Sequence, residues 1–246
     1  MTLGEVYSFL DGVSPFEMQE SWDNSGLQIG EKSQRVSQIV LSLDVTEELV
    51  QTYDEGTLFV VHHPLIFGKL TQLDLSKYPA NIIAAMIRKN QSLIAMHTNV
   101  DKTHLNHFVF TQVLGFECES EEDFMLHSNE KIDKEKLYNL LKTKLGLKNF
   151  KVVNEKEQIK GIALTTGSGS SMMDLCRGEC FLTGDIKYHE AMKAQSQNLM
   201  LVDIGHFESE QFFAHALEAD LKKLDISVII TNSKNPFKNI IGEKVE

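Results

Sequence analysis

The chain has 246 residues, 42% of them apolar, which is enough to bury one large core or two smaller ones. Its formal net charge of -11 repels phosphate backbones, so nucleic acid is an unfavourable partner. No apolar run is long enough to span a membrane, and the first residues lack the basic start and apolar block of a signal peptide, so we expect a cytoplasmic protein.

Helix and strand patterns alternate along the first half of the chain. Thr2 and Glu5 carry the capping-box pattern of a helix that is expected to run to about Leu10. The other elements predicted for this half are a strand at 36–44, a helix from Thr46 to Tyr53, a buried strand at 58–61, a helix at 79–89, a buried strand at 92–96 and a helix at 105–114.

The second half continues the alternation after an acidic stretch at 117–123, which we take as the domain boundary. Its predicted elements are a helix at 133–145, strands at 150–153 and 160–164, a helix near Met172, a strand at 180–184, a helix at 186–194, a strand at 199–204, a long amphipathic helix after His206 and a strand at 226–231. We therefore expect an α/β protein with two α/β domains, 1–122 and 123–246, and mainly parallel sheets. The C-terminal segment can return to pack on the first domain.

Side chains of the types that bind metals follow four of the predicted strands. They are His62 and His63, His97 and Asp101, Asp185, and His206. In open α/β sheets, ligands bind in the crevice at the carboxyl ends of the strands, so these side chains are expected to face one cleft. A single histidine in such a place would mean little, because most histidines are structural or solvated.

The spacing of these residues favours a metal centre. Neighbouring side chains of an extended chain point to opposite faces, so His62 and His63 suit two ions better than one, unless they merely cap the strand. His206 and Glu210 lie four residues apart at the start of a helix and share one face, unless they form a solvated helix start. With Asp101, the set of three histidines and two carboxylates suits divalent zinc, manganese or iron, and a carboxylate can bridge two ions.

Two weaker patterns each allow two interpretations. Cys176 and Cys180 form a C-x3-C pair, for which buried thiols are a better interpretation than half of a zinc site. The segment Gly167-Ser168-Gly169 lies between a strand and a helix and can be a phosphate cradle or a plain turn. It lacks the lysine of a P-loop, which favours the turn.

Six segments, in this order, resemble the GTP cyclohydrolase 1 type 2 homologue family, the Nif-three-like dinuclear metal proteins. They are PFEMQESWDNSGLQIG from Pro15, VVHHPLIF from Val60, HTNVD from His97, GSGSSM from Gly167, TGDIKYHEA from Thr183 and GHFESE from Gly205. The resemblance runs along nearly the whole chain. It departs from the family pattern at 103–107, where a glycine-rich turn and Asn-Asp are usual, and the large domain that some members insert between the halves is absent.

The resemblance implies the same metal ligands as the spacing, namely His62, His63, Asp101, His206 and Glu210. It implies two divalent ions per chain, and it indicates that His97 and His189 lie beside the site, where we expect them to transfer protons. It also implies a homo-oligomer, with a hexameric ring as the family's assembly. The family name refers to opening of the GTP ring, but a shared fold does not establish a reaction.

Three functions are compatible with these residues. The first is a metal-dependent hydrolase of a nucleotide-like or other small substrate, in which His97 or His189 moves protons. The second is a metal-binding or metal-delivery protein without turnover, and the third is an assembly protein that metal stabilises. Ligands that lie at strand ends and face a cleft favour the first two.

Overall fold

The helix caps that the sequence predicts are formed in the structure, a computed structural model that describes residues 1–238. The Thr2 hydroxyl accepts a hydrogen bond from the Glu5 N–H, and the Glu5 carboxylate accepts one from the Thr2 N–H. Thr46 caps a second helix through the N–H of Leu49. These bonds satisfy amide groups that a helix start leaves unpaired, so they fix where both helices begin. Residues 239–246, the end of the second predicted domain, lie outside the described residues.

Strands and helices alternate through most of the chain. The strands are β1 (Gly26–Ile29), β2 (Gln38–Ser42), β3 (Thr57–Val61), β4 (Ser92–Ala95), β5 (Ser120–Glu122), β6 (Met125–Asp133), β7 (Val152–Val153), β8 (Gln158–Leu164), β9 (Cys180–Thr183), β10 (Met200–Asp203) and β11 (Val228–Ile230). The α-helices are α1 (Leu3–Val13), α2 (Glu47–Thr52), α3 (Ala80–Arg88), α4 (Thr98–Val100), α5 (Lys134–Lys144), α6 (Tyr188–Ser196), α7 (His206–Glu210) and α8 (Phe213–Leu221). Short 3-10 helices lie at Phe16–Met18 and Ser170–Leu175, and wide π-helical turns at Asp101–Leu105 and Phe108–Val113.

The first sheet has the strand order β1-β4-β3-β2-β11. The pairs among β4, β3, β2 and β11 are parallel, and β1 adds an antiparallel edge that the sequence analysis did not predict. The central strand β3 is buried along its whole length. Leu58 and Val60 pack on one face of the sheet, whereas Phe59 and Val61 pack on the other. A strand that is covered on both faces needs this continuous apolar run.

The second sheet has the order β5-β6-β8-β9-β10-β7 and is mixed. Strands β8, β9 and β10 are parallel, whereas β5, β6 and β7 pair antiparallel with their neighbours. The predicted α/β architecture with two sheets is confirmed, and mainly parallel pairing describes the first sheet. The second sheet departs from that pattern because β5 and β6 form a hairpin around Asp123, whose φ is 58°.

The largest core lies between the two sheets, so both sheets contribute to one continuous apolar interior. Its most deeply buried members include Leu3, Leu10, Leu58, Phe110, Leu141, Ile162, Leu182 and Phe213. Helices α2 and α3 cover the outer face of the first sheet, and α6 covers the outer face of the second. This arrangement brings the carboxyl ends of β3 and β4 close to those of β9 and β10. The division of the chain at residue 122 stays a prediction; β5 belongs to the second sheet and β11 to the first.

Two helices differ from expectation, and a side chain accounts for each difference. The helix predicted at 105–114 already begins at Thr98 and widens into π-helical turns, where the Asn106 amide donates to the Asp101 carbonyl at 3.1 Å. The long helix after His206 is broken between α7 and α8. There the side-chain amide of Gln211 donates to the Glu208 carbonyl at 2.9 Å. That carbonyl would otherwise accept a backbone hydrogen bond of a continuous helix.

All three cysteines are free thiols; Cys180 is buried, whereas Cys176 is half-buried. Burial raises the pKa of Cys176 to about 11. Within residues 1–238, no helix combines the length and the apolar character that crossing a bilayer requires.

Candidate metal centre

The end of β3 turns so that two adjacent histidines face the same cleft. The N–H groups of His62 and His63 both donate to the Leu43 carbonyl at 3.1 Å, which bends the chain after Val61. The His62 ring packs against Phe213 of the central core and is fully buried, and the His63 ring is half-buried beside it. This bend removes the obstacle that an extended chain would impose on neighbouring side chains.

Glu210 lies at the centre of the cluster and contacts three histidines. Its Oε2 atom is 2.9 Å from Nε2 of His63 and 2.9 Å from Nε2 of His206, and its Oε1 atom is 3.6 Å from Nε2 of His62. His206 and Glu210 share one face of α7, as their spacing predicts. Asp101 completes the cluster, with its Oδ1 atom 3.5 Å from Nε2 of His62. The structure therefore brings together the five residues that the sequence analysis selected.

Among the residues that the structure describes, two buried polar atoms of this cluster find no hydrogen-bond partner. They are Nε2 of His62 and Oδ1 of Asp101. His62 donates its Nδ1–H to the Met96 carbonyl at 3.0 Å, so in the neutral ring Nε2 is a bare acceptor that faces two carboxylates. Buried acceptors without a donor are costly, and a cation between them would satisfy all of them at once. The residues present therefore fit a divalent metal ion.

Two further carboxylates orient the histidines from outside the cluster. Asp44 accepts the Nδ1–H of His63 at 2.8 Å, and Asp185 accepts the Nδ1–H of His206 at 2.7 Å. A hydrogen bond at Nδ1 fixes the ring and directs the Nε2 lone pair toward the cluster, which is how carboxylates prepare histidines for metal binding. Asp185 follows a predicted strand and was a candidate from the sequence, whereas the role of Asp44 was not predicted. Its position could have indicated that role, because Asp44 is the last residue of the strand predicted at 36–44.

The electrostatics of the cluster reflect competition between burial and neighbouring charge. Burial lowers the pKa of His62 to about 4. Burial would also lower the pKa of His63 and His206, but the Glu210 carboxylate, together with Asp44 or Asp185, raises these values to about 10 and about 9.

The pKa values of the two buried carboxylates, Asp101 and Glu210, shift in opposite directions. Burial and the charge of Glu210 raise the pKa of Asp101 well above its usual range. Glu210 itself is held well below its usual pKa by the surrounding histidines, although burial acts against them. Without metal, protons on His63 and His206 therefore compensate the Glu210 charge, and a divalent cation must displace them.

The two candidate proton-transfer residues occupy different positions. His97 lies beside the cluster, its ring centroid 5.1 Å from that of His62 and 5.8 Å from that of His63. Its Nδ1–H donates to Asp23 at 2.8 Å. His189 lies on α6, where its side chain is exposed and its ring packs edge-on against Tyr188. The contacts described for His189 do not join it to the five clustered residues.

The glycine loop packs against the cluster instead of opening toward a phosphate. The N–H of Gly167 donates to the Ser209 hydroxyl at 2.9 Å, and the N–H of Gly169 donates to the Thr183 hydroxyl at 2.8 Å. Gly167 has a φ of 62°, and a Cβ there would lie 2.1 Å from Oε1 of Glu210. The glycine thus leaves room for the central carboxylate, and the N–H groups of both glycines are already in use.

A cavity of about 650 Å³ opens onto the cluster at His63 and His206. Within residues 1–238, its wall carries four carboxylates and one lysine, Lys151, together with the rings of Phe150, Phe207 and Phe237. The carboxylates are Asp44, Asp185, Asp203 and Glu208. An acidic mouth of this kind raises the local concentration of cations and repels free anions.

Comparisons with known proteins agree along the length of the chain. The family model described as Duf34/NIF3 (NGG1p interacting factor 3) matches residues 1–236. A protein of Campylobacter jejuni named GTP cyclohydrolase 1 type 2 homolog is 45% identical over 239 residues, which cover 97% of this chain and 99% of that protein. A protein of Helicobacter pylori named GTP cyclohydrolase 1 type 2 is 41% identical over 238 residues, which cover 96% and 98%.

The fold is also found among solved structures. A crystal structure of a hypothetical protein from Staphylococcus aureus superposes with a TM-score of 0.85 at 25% sequence identity. The superposition covers 98% of this chain and 99% of that one. The two-sheet architecture is therefore shared by proteins whose sequences have diverged considerably.

Proposed function

Because the chain belongs to the Duf34/NIF3 family, we propose that its cluster of five residues binds two divalent metal ions and hydrolyses a nucleotide-like or other small substrate. The proposed ligands are His62, His63, Asp101, His206 and Glu210. Zinc, manganese and iron suit this mixture of imidazole and carboxylate donors.

The observation that carries this proposal is that Glu210 belongs to two separate groups of ligand atoms. Ligand atoms of His63, His206 and Glu210 lie within 4.8 Å of one another, and so do those of His62, Asp101 and Glu210. The two carboxylate oxygens face different groups, Oε2 toward His63 and His206 and Oε1 toward His62. A carboxylate in this position can bridge two ions, one in each group.

The ligand set supports hydrolysis because it leaves coordination positions open. With at most three protein donors in each group, bound ions would supply Lewis acidity and acidify a water molecule near neutral pH. Asp44 and Asp185 hold the rings of His63 and His206 in a fixed orientation. We propose His97 and His189 as the residues that move protons, and the position of His97 beside His62 supports its role.

Hydrolysis is tested by comparing wild-type protein with Asp101→Ala on a panel of phosphorylated and cyclic nucleotides that includes GTP. We expect turnover by metal-loaded wild type, and loss of that turnover both in the variant and after chelation. Activity that persists unchanged in both controls would come from a contaminant or a metal-free site and would contradict the proposal.

The acidic cavity favours a second candidate, a metal-delivery protein without turnover. Asp44, Asp185, Asp203 and Glu208 form a funnel that attracts free cations toward the cluster. The two candidates differ in the fate of the metal. A delivery protein should transfer its metal to a competing acceptor protein faster than the metal dissociates into buffer, whereas a hydrolase should retain it through many turnovers.

Loss of the Asp44 carboxylate is expected to weaken metal binding by about 10- to 100-fold, because a bond that orients a ligand histidine contributes on that scale. Asp44→Ala should therefore bind metal less tightly in equilibrium dialysis. Asp203→Ala is the matched control, since this carboxylate lines the same cavity but accepts a bond from the Gly205 N–H instead of a histidine. Equal losses in both variants would mean that only the general charge of the cavity matters.

We also propose that the chain is a cytoplasmic homo-oligomer, with a hexamer as the expected assembly. Exposed apolar side chains that follow the His62-His63 segment are available for such contacts, among them Leu73, Leu75 and Tyr78. Light scattering should give a mass several times that of the 27.8 kDa chain. A monomer at micromolar concentration would refute the oligomer.

A further inference from the structure

Three rings, those of Trp22, Phe67 and His97, lie together beside the cluster and outside the described lining of the acidic cavity. Trp22 and Phe67 are 58% and 52% exposed, which is unusual for two large aromatic residues in contact. Their ring centroids are 6.1 Å apart, and each lies close to the His97 ring, at 6.3 Å for Trp22 and 6.0 Å for Phe67. The three rings meet edge to face, so ring faces stay open to a further planar partner.

The segments that carry the two exposed rings are tied to each other. The Asn24 amide donates to the Ile66 carbonyl at 2.5 Å, and Gln28 both donates to that carbonyl and accepts the Ile66 N–H. The segment that carries Trp22 is also tied to the start of α4, where the Glu20 N–H donates to the Thr98 hydroxyl at 2.9 Å. These bonds hold Trp22 and Phe67 in place before any ligand arrives, which lowers the entropy cost of binding.

The third ring connects this aromatic surface to the metal-binding residues. The Asp23 side chain is fully buried and fixes His97 through the bond at Nδ1. Asp23 also accepts bonds from Thr98 and Ser25, and His97 and Thr98 hold its pKa far below the usual range although burial acts against them. Ring nitrogens of His97, His62 and His63 lie within 4.8 Å of one another. A ligand that packs on Trp22 and Phe67 would therefore meet His97 and the metal-binding residues at its edge.

The lysine that bonds the Trp22 segment offers no free charge to a phosphate. Lys102 bonds Glu20 of the same segment at 2.6 Å and lies 3.5 Å from Asp123, so its charge is already neutralised. This surface offers a ligand the flat apolar faces of Trp22 and Phe67, with His97 as a polar group at one edge.

We propose that Trp22 and Phe67 bind a planar heteroaromatic ring of the substrate, with its polar edge directed toward His97 and the metal centre. The inference rests on the proposed function, because it names the class of molecule that this centre would process. Trp22 and Phe67 supply stacking, His97 supplies a polar contact, and the metal-binding residues lie next to the reacting group.

Trp22 is the chain's single tryptophan, so its fluorescence reports on this surface alone. The probes are guanosine, adenosine and nicotinamide, which present a ring without phosphate, and the controls are ribose and inorganic phosphate. We expect at least one of the three ring compounds to quench Trp22 in a saturable manner, and both controls to have no effect. We expect Phe67→Leu to weaken binding of that compound by about tenfold, the scale of one aromatic stacking contact. Ile87→Ala removes a similarly exposed apolar side chain of α3, which the proposed oligomer contacts do not include, and should bind as wild type does.

Three results would overturn the inference. The first is no saturable response of metal-loaded wild type to any of the three ring compounds. The second is an equal response to ribose or phosphate. The third is a Phe67→Leu variant that changes the oligomeric mass but not ring binding, which would assign the surface to a subunit contact. Metal content is measured on the same samples. Protein that holds metal but binds no ring compound would contradict the aromatic site and leave the proposed metal centre unaffected.

Discussion

Glu210→Ala should lose metal affinity by at least about 100-fold, because removal of even an outer orienting residue costs about 10- to 100-fold. Glu210 contacts His62, His63 and His206, so its loss removes a ligand from both proposed metal groups at once. The fold should survive, since the side chain lies at the end of α7 and not in the apolar core. Equilibrium dialysis measures the affinity, and circular dichroism measures the fold.

Glu208→Gln is the matched control for this variant. Glu208 lies on the same helix and lines the acidic cavity, but its carboxylate bonds the Asn235 amide instead of a clustered histidine. It should bind metal nearly as wild type does. Unchanged affinity in Glu210→Ala would exclude this residue as a ligand, whereas global unfolding of Glu210→Ala and of His62→Ala would indicate a metal with a structural role.

Gly167→Ala is expected to impair metal binding although no metal-binding atom is removed. Its Cβ would lie 2.1 Å from Oε1 of Glu210, so the carboxylate must leave its place between the two ligand groups. The positive φ of 62° adds backbone strain of about 1–2 kcal/mol. We expect metal affinity to fall by about tenfold or more, on the scale of a displaced orienting group.

Gly146→Ala is the control that separates the effect of backbone strain from the effect of displacing the Glu210 carboxylate. Gly146 has a similar φ of 74°, but a Cβ there meets no atom within 4 Å. It should lower the free energy of unfolding by about 1–2 kcal/mol in urea and leave metal affinity unchanged. Equal metal affinity in the two variants would show that the Glu210 carboxylate is not held where the structure has it.

Local signals in the sequence were sufficient for much of the fold and for the choice of clustered residues. The Thr2 and Thr46 caps depend on neighbours within three residues, and β3 is recognisable from its unbroken apolar run. The pairing of His206 with Glu210 follows from helical geometry alone. Each of these features depends on contacts that are short in sequence, which is why a single sequence predicts them.

The features that sequence analysis missed depend on contacts between distant residues. Asp23 orients His97 across 74 positions, and nothing near either residue indicates the partner. Strand β1 is an edge that is defined by its pairing with β4, and its short segment lacks a clear alternation. The glycine loop was weighed as a phosphate cradle because its spacing is local, whereas its contact with Glu210 spans more than 40 positions and exists only in the fold.

The Glu210 carboxylate is proposed to join two metal ions, and the number of ions bound per chain is the direct test of that role. Protein should be purified without chelator, loaded with manganese or zinc and freed of excess ion before elemental analysis. We expect about two ions per chain for wild type, because Glu210 takes part in two groups of ligand atoms. A firm value near one would contradict the bridging role of Glu210, and a value of zero after growth in metal-replete medium would contradict the metal centre altogether.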